Sequence, residues 1–136
     1  MMKRLVPIVL VLMGCVTASA QDEPNCADPQ AQIELNLCAW RDFENADAEL
    51  NRVWKDATAT AKALDADEPN KNLQGAAKAL LAGQRGWIAY RDGQCELAGW
   101  EAHGGSAEPM MKSGCLAQLT RERTKQLKEF AAGWER

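Results

Sequence analysis

The sequence predicts an all-α fold: a long antiparallel helical hairpin followed by a third helix, stabilised by disulfides. Three observations carry this reading. Apolar residues recur at spacings of three and four, the period of a helix face and not of a strand. The longest such stretch contains neither Gly nor Pro. Five cysteines occur in 136 residues, and no two of them have the C-x-x-C spacing of a metal site.

The N-terminus reads differently from the rest. Lys3 and Arg4 precede the apolar run "LVPIVLVLMG", and Ala18-Ser19-Ala20 offers small residues for cleavage. This pattern is that of a secretory signal over residues 1–20. The run is too short for a membrane-spanning helix, which needs about 20 apolar residues. A second reading competes with soluble export. "LMGC", residues 12–15, resembles a bacterial lipobox and would place a lipid anchor on Cys15. On either route residues 21–136 form a single exported domain, periplasmic or lipid-anchored in the envelope. Removing Lys3 and Arg4 takes the net charge from −3 to −5. No basic stripe is present, so nucleic acid is not an expected partner. An acidic exported domain favours basic partners through encounter rate and orientation.

The first helix is expected over about 29–64, with Asp28 as N-cap and Pro29 in the first turn. Its stripe comprises Ile33, Leu37, Trp40, Phe43, Asp47, Leu50, Trp54, Ala57, Ala61 and Leu64. "DADEPN" ends it, with Pro69 as the breaker. The second helix is expected over about 71–98, with Leu73, Leu80, Leu81, Trp87, Ile88 and Cys95 on its apolar face. Glycines 75, 83, 86 and 93 weaken it by about 1 kcal/mol each, a cost best explained by close helix–helix approach or a bend. Gly104-Gly105, Pro109 and Gly114 predict an irregular segment over 99–114. The third helix follows over about 115–132, with Leu116, Leu119, Thr120, Arg123, Leu127 and Phe130 on one side.

Both export routes take Cys15 out of pairing. Four cysteines remain: Cys26, Cys38, Cys95 and Cys115. In an exported domain they read as two disulfides, with three connectivities open. The only histidine, His103, cannot complete a metal ligand set, so no metal or other cofactor is expected. A turn centred near residue 69 makes facing positions on the first two helices sum to about 138. That sets Asp47 opposite Arg91, Asn51 opposite Trp87, and Trp54 opposite Gln84. It also brings Cys38 near Cys95, and leaves Cys26 and Cys115 at the same end. The expected pairing is therefore Cys38–Cys95 with Cys26–Cys115. Cys26–Cys38 is the least expected, because it must reach back along two helical turns.

The segment "GQRGWIAYRDGQC", residues 83–95, concentrates polar and aromatic chemistry. Its facing partners favour a structural polar seam of Asp47, Asn51, Gln84, Arg91 and Arg123 over a catalytic site. Asp47 and Arg91 are expected to be a buried ion pair, with Asn51 and Gln84 satisfying each other or nearby backbone. No catalytic residue is expected: the cysteines are oxidised, no G-x-S-x-G motif occurs, and no pair of carboxylates is marked out. The loop "HGGSAEP" is the surface candidate. Gly104 and Gly105 allow close approach of the backbone, and His103 and Ser106 offer hydrogen bonds without a charge to bury. Glu101 and Glu108 flank it.

Together Cys38, the segment Asp47…Leu50-Asn51…Trp54, the pattern Gln84-x-x-Trp87-x-x-Tyr90-Arg91-Asp92-x-x-Cys95, Gly104-Gly105-Ser106 and Thr120-x-x-Arg123 resemble the LprI-type lysozyme-inhibitor family of small bacterial envelope proteins. The resemblance runs from about Cys26 to Leu127. The family commonly has Tyr where this chain has Trp54, so any hydroxyl contact from that position is missing here. The resemblance implies an all-helical, exported, cysteine-bridged protein that inhibits lysozyme by binding it. Two alternatives stay open: an envelope interaction module with a different protein partner, and an enzyme acting on wall glycan. The oligomeric state is not legible.

Overall fold

The computed structural model describes residues 23–133, so the expected signal sequence and lipobox lie outside the described residues. Three helices make up the fold: α1 (Gln32–Asp67), α2 (Ala76–Gly99) and α3 (Glu108–Ala131). Short 3-10 turns at Lys71–Leu73 and Trp100–Ala102 lie in the two connections. There is no strand among the described residues. At 1.5 Å per residue α1 is about 54 Å long, half as long again as either partner.

α1 and α2 are antiparallel, as the short connection requires. α3 returns alongside both, and its packing on α1 is the most extensive in the molecule. α1 and α3 run parallel. Asp42 pairs with Arg121, and Glu49 pairs with Lys128 at 2.6 Å, the same offset along the chain. Hydrogen bonds from Arg52 and Lys128 hold the Glu49 carboxyl down to about 2. The core is built where the three helices meet. Leu50, Val53, Ala57 and Leu127 are buried, with Trp54, Leu80, Trp87 and Phe130 packed against them. Ala46, Ala61 and Ala117 are buried too, and their small side chains let the helix backbones approach closely.

Several expected boundaries move. α1 starts at Gln32 instead of near residue 29, and Asp28 is not its cap. Residues 25–28 turn back on themselves, with the Asp28 N–H donating to the Asn25 carbonyl at 3.3 Å. Glu34 reaches back to accept from the Gln30 and Ala31 N–H groups, at 2.6 and 3.2 Å. It satisfies donors that a helix N-terminus otherwise leaves orphaned. α3 starts at Glu108, seven residues early. Pro109 falls in its first turn, where a missing N–H costs nothing. Gly114 lies inside the helix on its exposed side.

The disulfide pairing is also corrected. The bonds are Cys26–Cys38 and Cys95–Cys115, with Cα separations of 5.5 and 5.4 Å. The turn before α1 is the reason. Cys26 is not in line with the helix but folded back beside its second turn, within reach of Cys38. Cys115 is then free for Cys95, which faces it across the α2–α3 contact. Each bond adds about 2 to 4 kcal/mol by restricting the unfolded chain.

Close approach does not explain the glycines of α2. A Cβ at Gly86 or Gly93 would meet open space, and one at Gly83 only the Arg123 guanidinium at 3.9 Å. The closest neighbour is at Gly99, where a Cβ would make ordinary contact with Glu108 Cγ at 3.4 Å. This is where the end of α2 meets the start of α3.

The start of α2 is capped from another helix. Gly75 has φ 151°, and the N–H groups of Gly75, Ala76 and Ala77 all donate to the Asp65 carboxylate, at 2.7, 2.8 and 3.0 Å. These three donors lower the Asp65 pKa below its ordinary 3.8. A carboxyl lowered by folding stabilises the folded state above its ordinary pKa and loses that contribution as pH falls through the lowered value. Asp65→Ala is therefore expected to lower the melting temperature by roughly 4 to 8 °C at pH 7. The gap between thermal melts of the two proteins should begin to shrink near pH 3.8 and close as the pH falls through the lowered value. A gap that persists undiminished into strong acid would contradict this cap.

Candidate functional site: the polar seam and the 100–108 turn

The seam residues do not form one network. They divide into two contacts on different helix interfaces. Between α1 and α2, Arg91 Nη1 lies 3.6 Å from Asp47 Oδ1. Arg91 Nε and Nη2 donate to Asp92 Oδ1 at 2.9 and 2.8 Å. The guanidinium sits over the Trp87 ring at 5.0 Å and the Phe43 ring at 5.4 Å. Between α2 and α3, Arg123 Nε donates to Gln84 Oε1 at 2.9 Å, and Arg123 Nη1 to Gln126 Oε1 at 3.0 Å. Burial pushes the Arg123 pKa down. The group stays charged, because an arginine starts too high to lose its proton.

Two expectations are corrected here. Asn51 and Gln84 do not satisfy each other. Asn51 faces solvent and donates to Asp47 Oδ2 on its own helix at 2.9 Å, while buried Gln84 turns to α3. Nor is the ion pair buried on both sides. The Arg91 side chain is 12% exposed, but that of Asp47 is 39% exposed. Water screens the pair, so its coupling falls to about 1 kcal/mol, well under the value for a fully buried pair.

The second group of candidate residues lies where α2 hands over to α3. Trp100–Ala102 form a 3-10 turn, and the His103 ring stacks on Trp100 at 4.2 Å. Gly104 adopts φ 74°, a left-handed conformation that disfavours side chains. Its N–H donates to Glu108 Oε2 at 2.7 Å, and His103 Nδ1 lies 3.4 Å from Glu108 Oε1. The Gly105 N–H donates to the Ala102 carbonyl at 2.8 Å. A Cβ at Gly105 would stand 3.1 Å from that same oxygen. Asn36 on α1 donates to the Ser106 carbonyl at 2.9 Å and ties the turn to the bundle.

The turn is thus a hydrogen-bonded structure in its own right. Its six candidate residues separate into two roles. Glu108 is turned back into the turn, and the Gly104 N–H and then His103 hold its carboxyl below the usual value against the opposing effect of burial. Glu101, His103, Gly104, Gly105 and Ser106 are exposed. The reading from residue types missed the Trp100–His103 stack and the inward role of Glu108. The four-residue spacing of Gly104 and Glu108, with the carboxylate in the first turn of α3, is the pattern that signals it.

No group of three or more His, Cys, Asp or Glu residues that could hold a metal occurs among the described residues, and no described helix is long and apolar enough to cross a membrane. Fold and surface define a small, disulfide-clamped, all-helical domain with an ordered turn at its bridged end. A family model described as "Lysozyme inhibitor LprI" matches residues 25–127, and the chain belongs to that family. It is also similar to "Uncharacterized protein R02472" of Rhizobium meliloti (strain 1021), with 51% identity over 126 residues covering 89% of this chain and 91% of the relative. No solved structure matches.

The Asp47–Arg91 contact is tested by a double-mutant cycle in urea unfolding. Asp47→Ala is expected to cost about 1 kcal/mol or less. Arg91→Ala is expected to cost about 2 kcal/mol, because it also removes the packing on two aromatic rings. A coupling above about 3 kcal/mol would show a pair shielded from water.

Proposed function

We propose that this chain is an exported binding protein that inhibits lysozyme by protein–protein contact. Family membership supports the activity, and the two disulfides fit an oxidising, extracytoplasmic location. The observation that carries the mechanism is the charge arrangement of the 103–108 turn. Gly104, Gly105 and Ser106 face outward with no charge of their own. The nearest carboxylate, Glu108, is half-buried and accepts from the Gly104 N–H.

Lysozymes are commonly basic and hold two carboxylates of distinct roles in a cleft. Without residues 1–20 the chain has five more anions than cations and is steered to such a surface. The tip of the turn, Gly105 and Ser106, then enters the cleft with no charge of its own, while the Glu108 charge behind it is engaged by the Gly104 N–H. Glu101, exposed at the flank, meets the basic rim. The Asn36–Ser106 bond and the Cys95–Cys115 bridge hold the turn in its bound shape beforehand, which reduces the entropy lost on binding.

Titrating lysozyme activity against the purified protein tests this. Stoichiometric loss of activity at micromolar concentrations is expected, and a Gly105→Ala/Ser106→Ala variant should inhibit at least about tenfold less well. No inhibition at micromolar excess, or full inhibition by the variant, would contradict it.

A further inference from the structure

α2 packs on the bundle along one side only. Gln84 and Cys95 are buried, and Leu80, Trp87, Arg91 and Ala98 are half-buried. At 3.6 residues per turn these positions share one side of the helix. A second sector, about 120° wide, is turned away from the bundle. It carries Ala79, Ala82, Gly83 and Gly86 in its first half, and Ala89, Tyr90, Gly93 and Leu97 in its second. All of them are exposed, and none is charged.

Within one chain this face is a cost. The glycines weaken the helix relative to alanine, and a Cβ at Gly86 or Gly93 would meet nothing within 4 Å. Tyr90 and Leu97 are 59 and 63% exposed, so they hold apolar surface in water.

The face also has a direction. Its first half is all Ala and Gly, while both large side chains stand in its second half. A line of charge along one edge changes sign in the same place. Lys78, Arg85, Asp92 and Glu96 follow at steps of seven, seven and four, so they share that edge. No ion pair among the described residues includes Lys78 or Arg85. Arg91 engages one oxygen of Asp92, and Lys112 one of Glu96, yet these carboxylates stay 55 and 61% exposed.

A second copy laid antiparallel along α2 matches both patterns. With the two-fold axis between Ile88 and Ala89, Arg85 comes level with Asp92 of the second copy, and Lys78 comes within one turn of its Glu96. A two-fold that reverses the helix direction keeps the charged edges on the same side of the contact, so cations meet carboxylates along it. Tyr90 then lies beside Gly86 of the second copy, and Leu97 beside its Ala79. A parallel copy would separate the charged edges and set Tyr90 against Tyr90. A basic protein is the poorer occupant, because Lys78 and Arg85 would meet like charge.

We propose that the outer face of α2 is a self-association surface on which two copies pair antiparallel. The face is about 27 Å long and one helix wide, so the pair is small and reversible. It sets the two 103–108 turns at opposite ends, where each stays open to its own target.

Sedimentation velocity of the mature protein, from micromolar to near-millimolar concentration at physiological salt, tests this. Salt screens the net repulsion between two acidic chains and leaves close pairs in place. A monomer–dimer equilibrium is expected. Gly86→Leu blocks the close approach and should sediment as a monomer. Its circular dichroism and its melting temperature in dilute solution should stay at or above wild type, because leucine favours helix over glycine. Tyr90→Ala should weaken pairing at least about tenfold. Arg85→Glu should weaken it too, with the difference shrinking at high salt. A wild-type protein that stays monomeric near millimolar concentration overturns the proposal. So does a dimer that Gly86→Leu and Tyr90→Ala leave intact. A dimer lost in Gly86→Leu but unchanged in Arg85→Glu overturns the antiparallel arrangement.

Discussion

The Cys95–Cys115 bond is the constraint on which the bridged end of this molecule depends. It joins the last turns of α2 to the first turns of α3, with Cys95 fully buried. The apolar core lies elsewhere, around Leu50, Val53, Ala57 and Leu127, toward the opposite end. Near the bridge the buried residues are few, and most are small: Gly99, Ser113 and Ala117, with Leu116. Covalent bonds thus hold the end of the bundle that packing holds least. That division permits Ile33, Leu37, Trp40, Leu97 and Trp100 to remain outside without loss of the fold.

The carboxylates follow a related division of labour. Asp65 caps α2, Glu49 ties α1 to α3, Glu34 closes the start of α1, and Glu108 closes the 103–108 turn. Each one accepts hydrogen bonds within the fold. Glu44 and Glu101 are exposed. Much of the acidic balance of the chain is therefore engaged within the fold.

The helices themselves were legible because their periodicity is local. Spacing placed Leu50, Ala57, Leu116, Thr120 and Leu127 inside, and the single breaker at Pro69 was enough to set Asp47 against Arg91. What was not legible depended on contacts distant in sequence or on backbone turns. Asp65 caps a helix ten residues later. Cys26 reaches Cys38 only because the chain reverses before Gln32. The face bearing Ile33, Leu37 and Trp40 was readable, but no spacing tells whether a neighbour covers it. Asn51 was misplaced because facing arithmetic fixes height along the hairpin and not the 100° step around the helix. The candidate turn was found from its glycines. The inward use of Glu108 needed the geometry.

The most direct measurement is disulfide mapping of the purified protein, by proteolysis without reduction followed by mass spectrometry of the linked peptides. Linked peptides containing Cys26 with Cys38 and Cys95 with Cys115 are predicted. Peptides joining Cys38 to Cys95, or four free thiols, would contradict an account in which local bridges hold the end that carries the 103–108 turn.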